Sequence, residues 1–255
     1  MEAAATTYSR RPPVSRAVPG VTGALIGLNV LAYLTELIRP GTAGRFAMTG
    51  AGLAGPSDQY FPDDGSFSGL RWTGVAHGEW YRLLTGTFLH LPPGGSSFGS
   101  LFGVLHMAFN MYALCHLGRV VEEPLGRVRF LALYLLSALG GSVLVYLVSP
   151  SDEVVGASGA VFGLAAAYYV VSRRLGRDVR AVNGFLAGFL VWMLLSAALT
   201  SWEAHLGGLV TGAAVTVVYA YAPAGRRTAV QAAGCVVLAA VLVLLVVLKT
   251  SALTG

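Results

Sequence analysis

Three short stretches place polar side chains in apolar surroundings: Gly156-Ala157-Ser158-Gly159, His106-x-x-x-Asn110 and Ala204-His205-Leu206-Gly207-Gly208. A hydroxyl beside an imidazole is the pair that nucleophilic acyl transfer needs, the imidazole taking the proton. Ser158 opens an apolar run that reads as a helix. Unpaired N–H groups and the positive end of the dipole would lie beside its oxygen and stabilise it if it became anionic. Gly156 and Gly159 leave room around it, because backbones can close in where there is no Cβ. Taken alone, the motif reads more readily as a small-residue packing face in a chain with 33 glycines. His106 and Asn110 lie four residues apart and share a helix face. A lone Asn110 there could also be an interhelical hydrogen bond.

The elements that must position these groups are membrane helices. Of the 255 residues, 55% are hydrophobic and only 11% charged, against about 25% charged in a soluble domain. The mean hydropathy is +0.66, and several runs approach the roughly 20 apolar residues that span a bilayer. The pI near 9.4 does not indicate nucleic acid, because the basic residues sit in short loops between apolar spans. Cys115 and Cys235 both fall inside spans and indicate no disulfide framework.

The fold class read from this pattern is an all-α polytopic membrane protein. Residues 1–17 form a polar N-terminal tail and residues 18–222 a six-span core. Residues 39–97 make a large loop within that core, and 223–255 a linker and seventh span. The first span, Val18 to Ile38, could be a signal peptide, but its apolar run exceeds the roughly 7–15 residues usual for one, which favours a retained span. The loop is first Gly-, Pro-, Ser- and Asp-rich. Its second part, Glu79 to His90, suits a short interfacial helix, and Pro92 to Gly95 break the chain before the second span. Further spans are expected at Phe98–Leu117, Phe130–Val148, Gly156 to Arg173, Ala181–Leu199 and from the turn Thr200–Glu203 to Tyr221. The seventh, Thr228 to Leu248, offers little chemistry.

Lysines and arginines set the orientation. With the N-terminus inside, the tail and the loops on its side hold twelve of the 17, and the opposite side five, so the N-terminus is expected in the cytoplasm. Ser158 and His205 then lie a few residues inward from outer loops, at similar shallow depth, with His106 slightly deeper. Gly159 and Gly163 form one small-xxx-small face, and Gly208 and Gly212 another. If these faces meet, Ser158 and His205 come within reach of each other.

In this order the residues resemble the rhomboid family of intramembrane serine proteases: Glu79 to Arg82 and His90; His106-x-x-x-Asn110; Glu122 with Leu125-Gly126; Gly156-Ala157-Ser158-Gly159; and Ala204-His205-x-x-Gly208-x-x-x-Gly212. The resemblance covers Val18 to Tyr221. It implies a six-helix bundle, here with one extra C-terminal helix, and a Ser158–His205 dyad without a third acidic member. It implies an oxyanion site made by the Ser158 N–H, Asn110 and His106, each donor often worth ~3 kcal/mol. Gly156, Gly159, Phe162 and Gly208 would support the site, Phe162 packing against His205 where many relatives have Tyr. Glu79 and Arg82 would brace the first loop, Glu122 would tie down the loop after the second span, and His90 would be structural. His77 and His116 match no motif.

The partners so implied are the lipid bilayer and transmembrane protein substrates cut near the outer end of their span; no cofactor, metal or nucleic acid is called for. Arginine outnumbers lysine, which occurs once, at Lys249. That usage suggests a bacterial plasma membrane, with the active site open to the outer face. Oligomeric state and natural substrate are not legible. Access would be gated by Phe185, Phe189 and Trp192 on the fifth span, the alternative being that they are lipid-facing bulk. A metalloprotease would need His-Glu-x-x-His, and an aspartyl intramembrane protease two aspartates in spans; neither pattern occurs. The alternative of another class is a transporter, or a protein that only binds transmembrane helices. Paired halves with matching interrupted segments, which a transporter would show, are not evident.

Overall fold

The computed structural model describes residues 18–39, 41–62, 69–91, 97–176, 178–196 and 200–255. The tail over 1–17, Pro92 to Gly95 and Arg177 lie outside them, as do the side chains of Phe185 and Trp192. In chain order the helices are α1 (Gly20–Ile38), α2 (Thr42–Phe46), α3 (Arg82–Thr85), α4 (Ser97–Leu125), α5 (Arg127–Val148), α6 (Ser158–Arg174), α7 (Val179–Ser196), α8 (Trp202–Tyr221) and α9 (Arg227–Thr254). Among the described residues five stretches, 20–38, 101–125, 127–148, 202–221 and 224–254, are long and apolar enough to cross a membrane. With α6 and α7 they form an all-α, multi-pass membrane bundle of six helices and a C-terminal seventh. At 17 residues, α6 is about 25 Å long, short of the roughly 30 Å hydrocarbon layer.

Two differences from the sequence reading change what a residue does. The helix α4 runs on to Leu125, so Arg119, Glu122 and Glu123 are helical; it stops at Gly126, whose φ of +79° suits a residue without a Cβ. Glu122 therefore does not tie down a loop. Its carboxylate accepts from Val21 N (3.1 Å), Thr22 N (2.8 Å) and Thr22 Oγ1 (2.7 Å). It thus caps the start of α1, where Pro19 supplies no side-chain cap and a negative charge suits the dipole. The turn before α8 is also shorter than expected: Trp202 and Glu203 are already helical, and the Ser201 hydroxyl accepts from Ala204 N at 3.2 Å.

The bundle centres on α5, α6 and α8, which meet through residues without bulk. A Cβ on Gly208 would overlap the Gly159 carbonyl, and one on Gly212 the Gly163 Cα. The two glycine faces read from the sequence do meet, backbone to backbone. A second seam joins α5 to α8, where Gly140 and Gly207 abut with Thr211 and Gly141 sits under the Ala204 carbonyl. The apolar core around them includes Leu114, Leu117, Phe130, Leu133, Leu164 and Val215. The seventh helix, α9, buries Leu242 and Val246 against Val143, Val145 and Tyr146. Thr250 Oγ1 lies 2.8 Å from Tyr146 Oη.

The first loop carries a small antiparallel sheet that the sequence pattern did not suggest. Its strands are β1 (Gly52–Ala54), β2 (Tyr60–Phe61) and β3 (Arg71–Thr73), ordered β2-β1-β3, with Leu53 opposite both Phe61 and Trp72. Strands of two or three residues are too short to show a period of two. Arg82, 1% exposed, holds this loop together. It donates to the carbonyls of Gly44 and Ala47 (3.0 Å each), to Thr73 Oγ1 (2.9 Å) and to Glu79 (2.7 Å). Burial alone would raise the Glu79 pKa. Donors from Thr73, Gly74, Arg71 and Arg82 outweigh it and hold the carboxyl down at about 2.

Candidate active site

Ser158 is the first residue of α6, preceded by Ala157, whose carbonyl accepts the first helical bond from Val161 N (3.0 Å). The N–H groups of the first turn therefore have no intrahelical partner. The chain reaches Ser158 through residues 149–157, and the first loop holds that approach in place. Met48 and Val154 exchange both backbone bonds (2.9 and 2.8 Å), Gly50 N and Ala51 N donate to Pro150 O (2.8 Å each), and Gly156 N donates to Gly86 O (3.1 Å). The Tyr60 hydroxyl donates to Ser151 O. The backbone pairings have no side-chain signature, so none of them could be read from the sequence.

His205 lies on the first turn of α8, and its Nε2 is 3.0 Å from Ser158 Oγ. The glycine contact between α6 and α8 begins one residue after Ser158, at Gly159, which is how a hydroxyl and an imidazole 47 residues apart in sequence are delivered to one point. Phe162, one turn below Ser158, stacks on the His205 ring with centroids 4.4 Å apart and planes 19° from parallel. Phe189 of α7 meets Phe162 edge-on at 4.8 Å. Phe189 is 5% exposed, so of the three aromatics expected on this helix the one described is packed inside rather than lipid-facing.

His106 of α4 enters from a third helix and is 4% exposed. Gly156 lies between it and Ser158. A Cβ there would stand 3.0 Å from His106 Cε1 and 3.6 Å from Ser158 Oγ, and Gly156 has a φ of +135°. The missing side chain thus keeps a gap open between the imidazole and the hydroxyl. Asn110, 2% exposed, donates from Nδ2 to His106 O at 3.0 Å, within its own helix. A cavity of about 600 Å³ opens above Ser158 and His106, bordered by Tyr60, Leu91, Glu153 and Trp202. Of the residues expected from the sequence, Ser158 and His106 line this cavity; His205 lies beneath it, joined to Ser158, with Phe162 stacked on its ring, and Asn110 is a turn further along α4.

Residues not singled out from the sequence also support the site. Glu203, 6% exposed, accepts from Ser149 Oγ and Ser201 Oγ at 2.8 Å each, which pins the start of α8 to the end of α5 two residues before His205. Glu36 accepts from His90 N at 3.0 Å, and the His90 ring packs 5.5 Å from His106. A carboxylate near the end of an apolar helix was the available signal for Glu36. Of the remaining histidines, His77 stacks on Trp72 (5.1 Å) and His116 on Tyr112 (6.3 Å), away from the cavity.

Residues 77–222 match the family described as Rhomboid domain. The chain is 34% identical over 142 residues to rhomboid protease GluP of Bacillus subtilis (strain 168), covering 54% of this chain and 26% of that protein. It is 30% identical over 146 residues to Rhomboid-like protease 3 of Toxoplasma gondii, covering 54% and 51%. It is 33% identical over 191 residues to RHOMBOID-like protein 1 of Arabidopsis thaliana, covering 71% and 45%. The chain spans between about a quarter and about half of the length of these relatives.

Proposed function

The chain belongs to the rhomboid family, and from that premise we propose that it is an intramembrane serine endopeptidase whose nucleophile is Ser158 and whose base is His205. The observation that carries this reading is the 3.0 Å separation of Ser158 Oγ and His205 Nε2 under an open cavity that water and a peptide can enter. His205 takes the hydroxyl proton as Ser158 Oγ bonds to the peptide carbonyl carbon, then gives it to the leaving amine as the acyl-enzyme forms. Water, deprotonated by the same imidazole, releases the acyl group. Among the described residues no carboxylate accepts from the His205 Nδ1 to orient the ring from behind. The stacked Phe162 ring does so instead, by shape.

The carbonyl oxygen gains its negative charge in the gap kept open by Gly156. The free N–H groups at the start of α6 and the His106 edge are the donors nearest to that gap. Asn110, a turn further along α4, is the most distant member of the proposed set, its Nδ2 donating to the His106 carbonyl. Substrates are single-span membrane proteins cut near one end of their span. An unbroken helix hides its amides in its own hydrogen bonds, so Gly or Pro near the cut favours cleavage. The arginine distribution supports an N-terminus in the cytoplasm and a site facing the opposite, outer side of what the arginine usage suggests is a bacterial plasma membrane, with 18–222 as the catalytic core.

A fluorophosphonate probe tests the nucleophile directly. It is expected to label the wild type, and neither Ser158→Ala nor His205→Ala, while both variants remain folded and lose cleavage of a single-span reporter. Equal labelling of Ser158→Ala would remove Ser158 from its role.

A further inference from the structure

A second cavity, of about 610 Å³, opens at the other end of the bundle, between the end of α4, the first turns of α5, the end of α8 and the first turns of α9. Tyr219, on its wall, is fourteen residues along α8 from His205, or about 21 Å, so this cavity is remote from the proposed active site. Its lining has two chemistries. Arg127, Arg129 and Thr228 supply donors, and Val128, Ala132 and Ala232 supply apolar surface.

The donors are held, not merely present. Arg129 is half-buried and donates from Nε to Gln231 Oε1 (2.8 Å) and from Nη1 to Leu125 O (3.2 Å). Gln231, 4% exposed, donates in turn to Tyr219 O (2.9 Å). Three helices therefore fix one guanidinium whose Nη2 bonds to no acceptor among the described residues. Beside it α9 starts with no side-chain cap and no acidic residue in its first turn, leaving N–H groups and a positive dipole end exposed. Arg226 and Arg227 stand at that same helix start, both exposed. Among the described residues the cavity lining includes no carboxylate; at this end of α4, Glu122 accepts from Val21 and Thr22, and Glu122 and Glu123 border a separate hollow with Arg119 and Arg127.

A fixed guanidinium, an uncapped helix start and further arginines select an anion, and phosphate oxygens suit the guanidinium fork. Apolar walls at the end of membrane-spanning helices add what a free phosphate has no use for and an acyl chain does. We propose that this cavity binds the headgroup of an anionic phospholipid, its phosphate on Arg129 and the start of α9 and its chains along α5 and α9. The lipid would then clamp α9 to the six-helix core.

The test compares the full chain in nanodiscs of phosphatidylcholine alone and of an equimolar phosphatidylcholine–phosphatidylglycerol mixture. Phosphatidylglycerol is expected to raise the unfolding temperature by a few degrees and to be retained preferentially in native mass spectra. Thr228→Asp sets a carboxylate in the cavity at an exposed position where the helix dipole welcomes it. This variant should fold normally in phosphatidylcholine but lose both effects. Thr228→Asn should keep them, and Arg127→Gln should reduce retention several-fold. An undiminished response in Thr228→Asp, or equal retention of the two lipids, would overturn the proposal. So would inorganic phosphate reproducing the rise in phosphatidylcholine discs, since that assigns the site to a free anion. None of these readouts depends on cleavage.

Discussion

Phe162 and His205 lie face to face, 4.4 Å between centroids, and that contact fixes the imidazole in the plane from which its Nε2 meets Ser158. Phe162 is 3% exposed, so Phe162→Ala is expected to cost about 3–5 kcal/mol of stability and says little about catalysis. Phe162→Leu separates the two roles: it should cost under about 1.5 kcal/mol while removing the flat surface. The expected result is a kcat roughly tenfold lower, about 1.4 kcal/mol in the barrier, with KM unchanged. Phe162→Tyr should keep kcat within a few-fold. A Leu variant with wild-type kcat would show that the ring serves packing alone.

Gly156 separates His106 from Ser158, and its positive φ adds a backbone reason for glycine. Gly156→Ala is expected to strain the backbone by about 1–3 kcal/mol and to fill the gap where the carbonyl oxygen would gain charge. Cleavage should fall about a hundredfold or more, well beyond the loss in thermal stability. Steady-state kinetics beside a melting curve would check this. A fall in activity no larger than the drop in folded fraction would mean that the methyl group only destabilises.

How far the sequence could be read depends on whether a residue acts through its side chain or its backbone. Ser158, His205, His106 and Phe162 were legible because each is a distinctive side chain at helical spacing in an apolar run. The two glycine faces were legible for the same reason, since small-xxx-small spacing predicts close helix approach. The bridge between Met48 and Val154, the Gly86 carbonyl that receives Gly156 N, and the small sheet are backbone pairings between distant loops, and any residue could make them. Glu122 was legible as a brace, but its partner was not: the N-terminus of α1, about a hundred residues earlier, is adjacent only after folding.

Acid should loosen the first loop before the bundle. Glu79 has a folded pKa of about 2, below its usual 4.5. Its contribution is therefore complete above pH 4.5 and is lost as the pH falls from there toward 2. Trp72 and Trp80, both exposed on this loop, can report the change by fluorescence. The wild type is expected to lose thermal stability steeply across that window. Glu79→Gln should be less stable at neutral pH and nearly flat below pH 4.5. A variant whose pH profile parallels the wild type would exclude Glu79 as the titrating group.

Orientation is testable with thiols. In a background where Cys115 and Cys235 are replaced by alanine, a cysteine at Ser151 is expected to react with an impermeant reagent added outside intact cells. One at Arg226 should react only after permeabilisation. Both positions are exposed in the structure. The reverse pattern would put the cavity above Ser158 on the cytoplasmic face, and substrates would then be cut at the opposite end of their span.

The glycine seam between α6 and α8 has a mechanical consequence. Where carbonyl oxygens rest against α-carbons, no rotamer can change and no side chain can be compressed, so the joint is stiff. The helix α7 meets α6 through the rings of Phe162 and Phe189, a contact able to slide. Thinning a bilayer or raising its lateral pressure should therefore tilt α7 and leave the spacing of Ser158 and His205 unaltered. Changes of host lipid are then expected to alter how readily substrate enters, read in KM, while the chemical step keeps its rate.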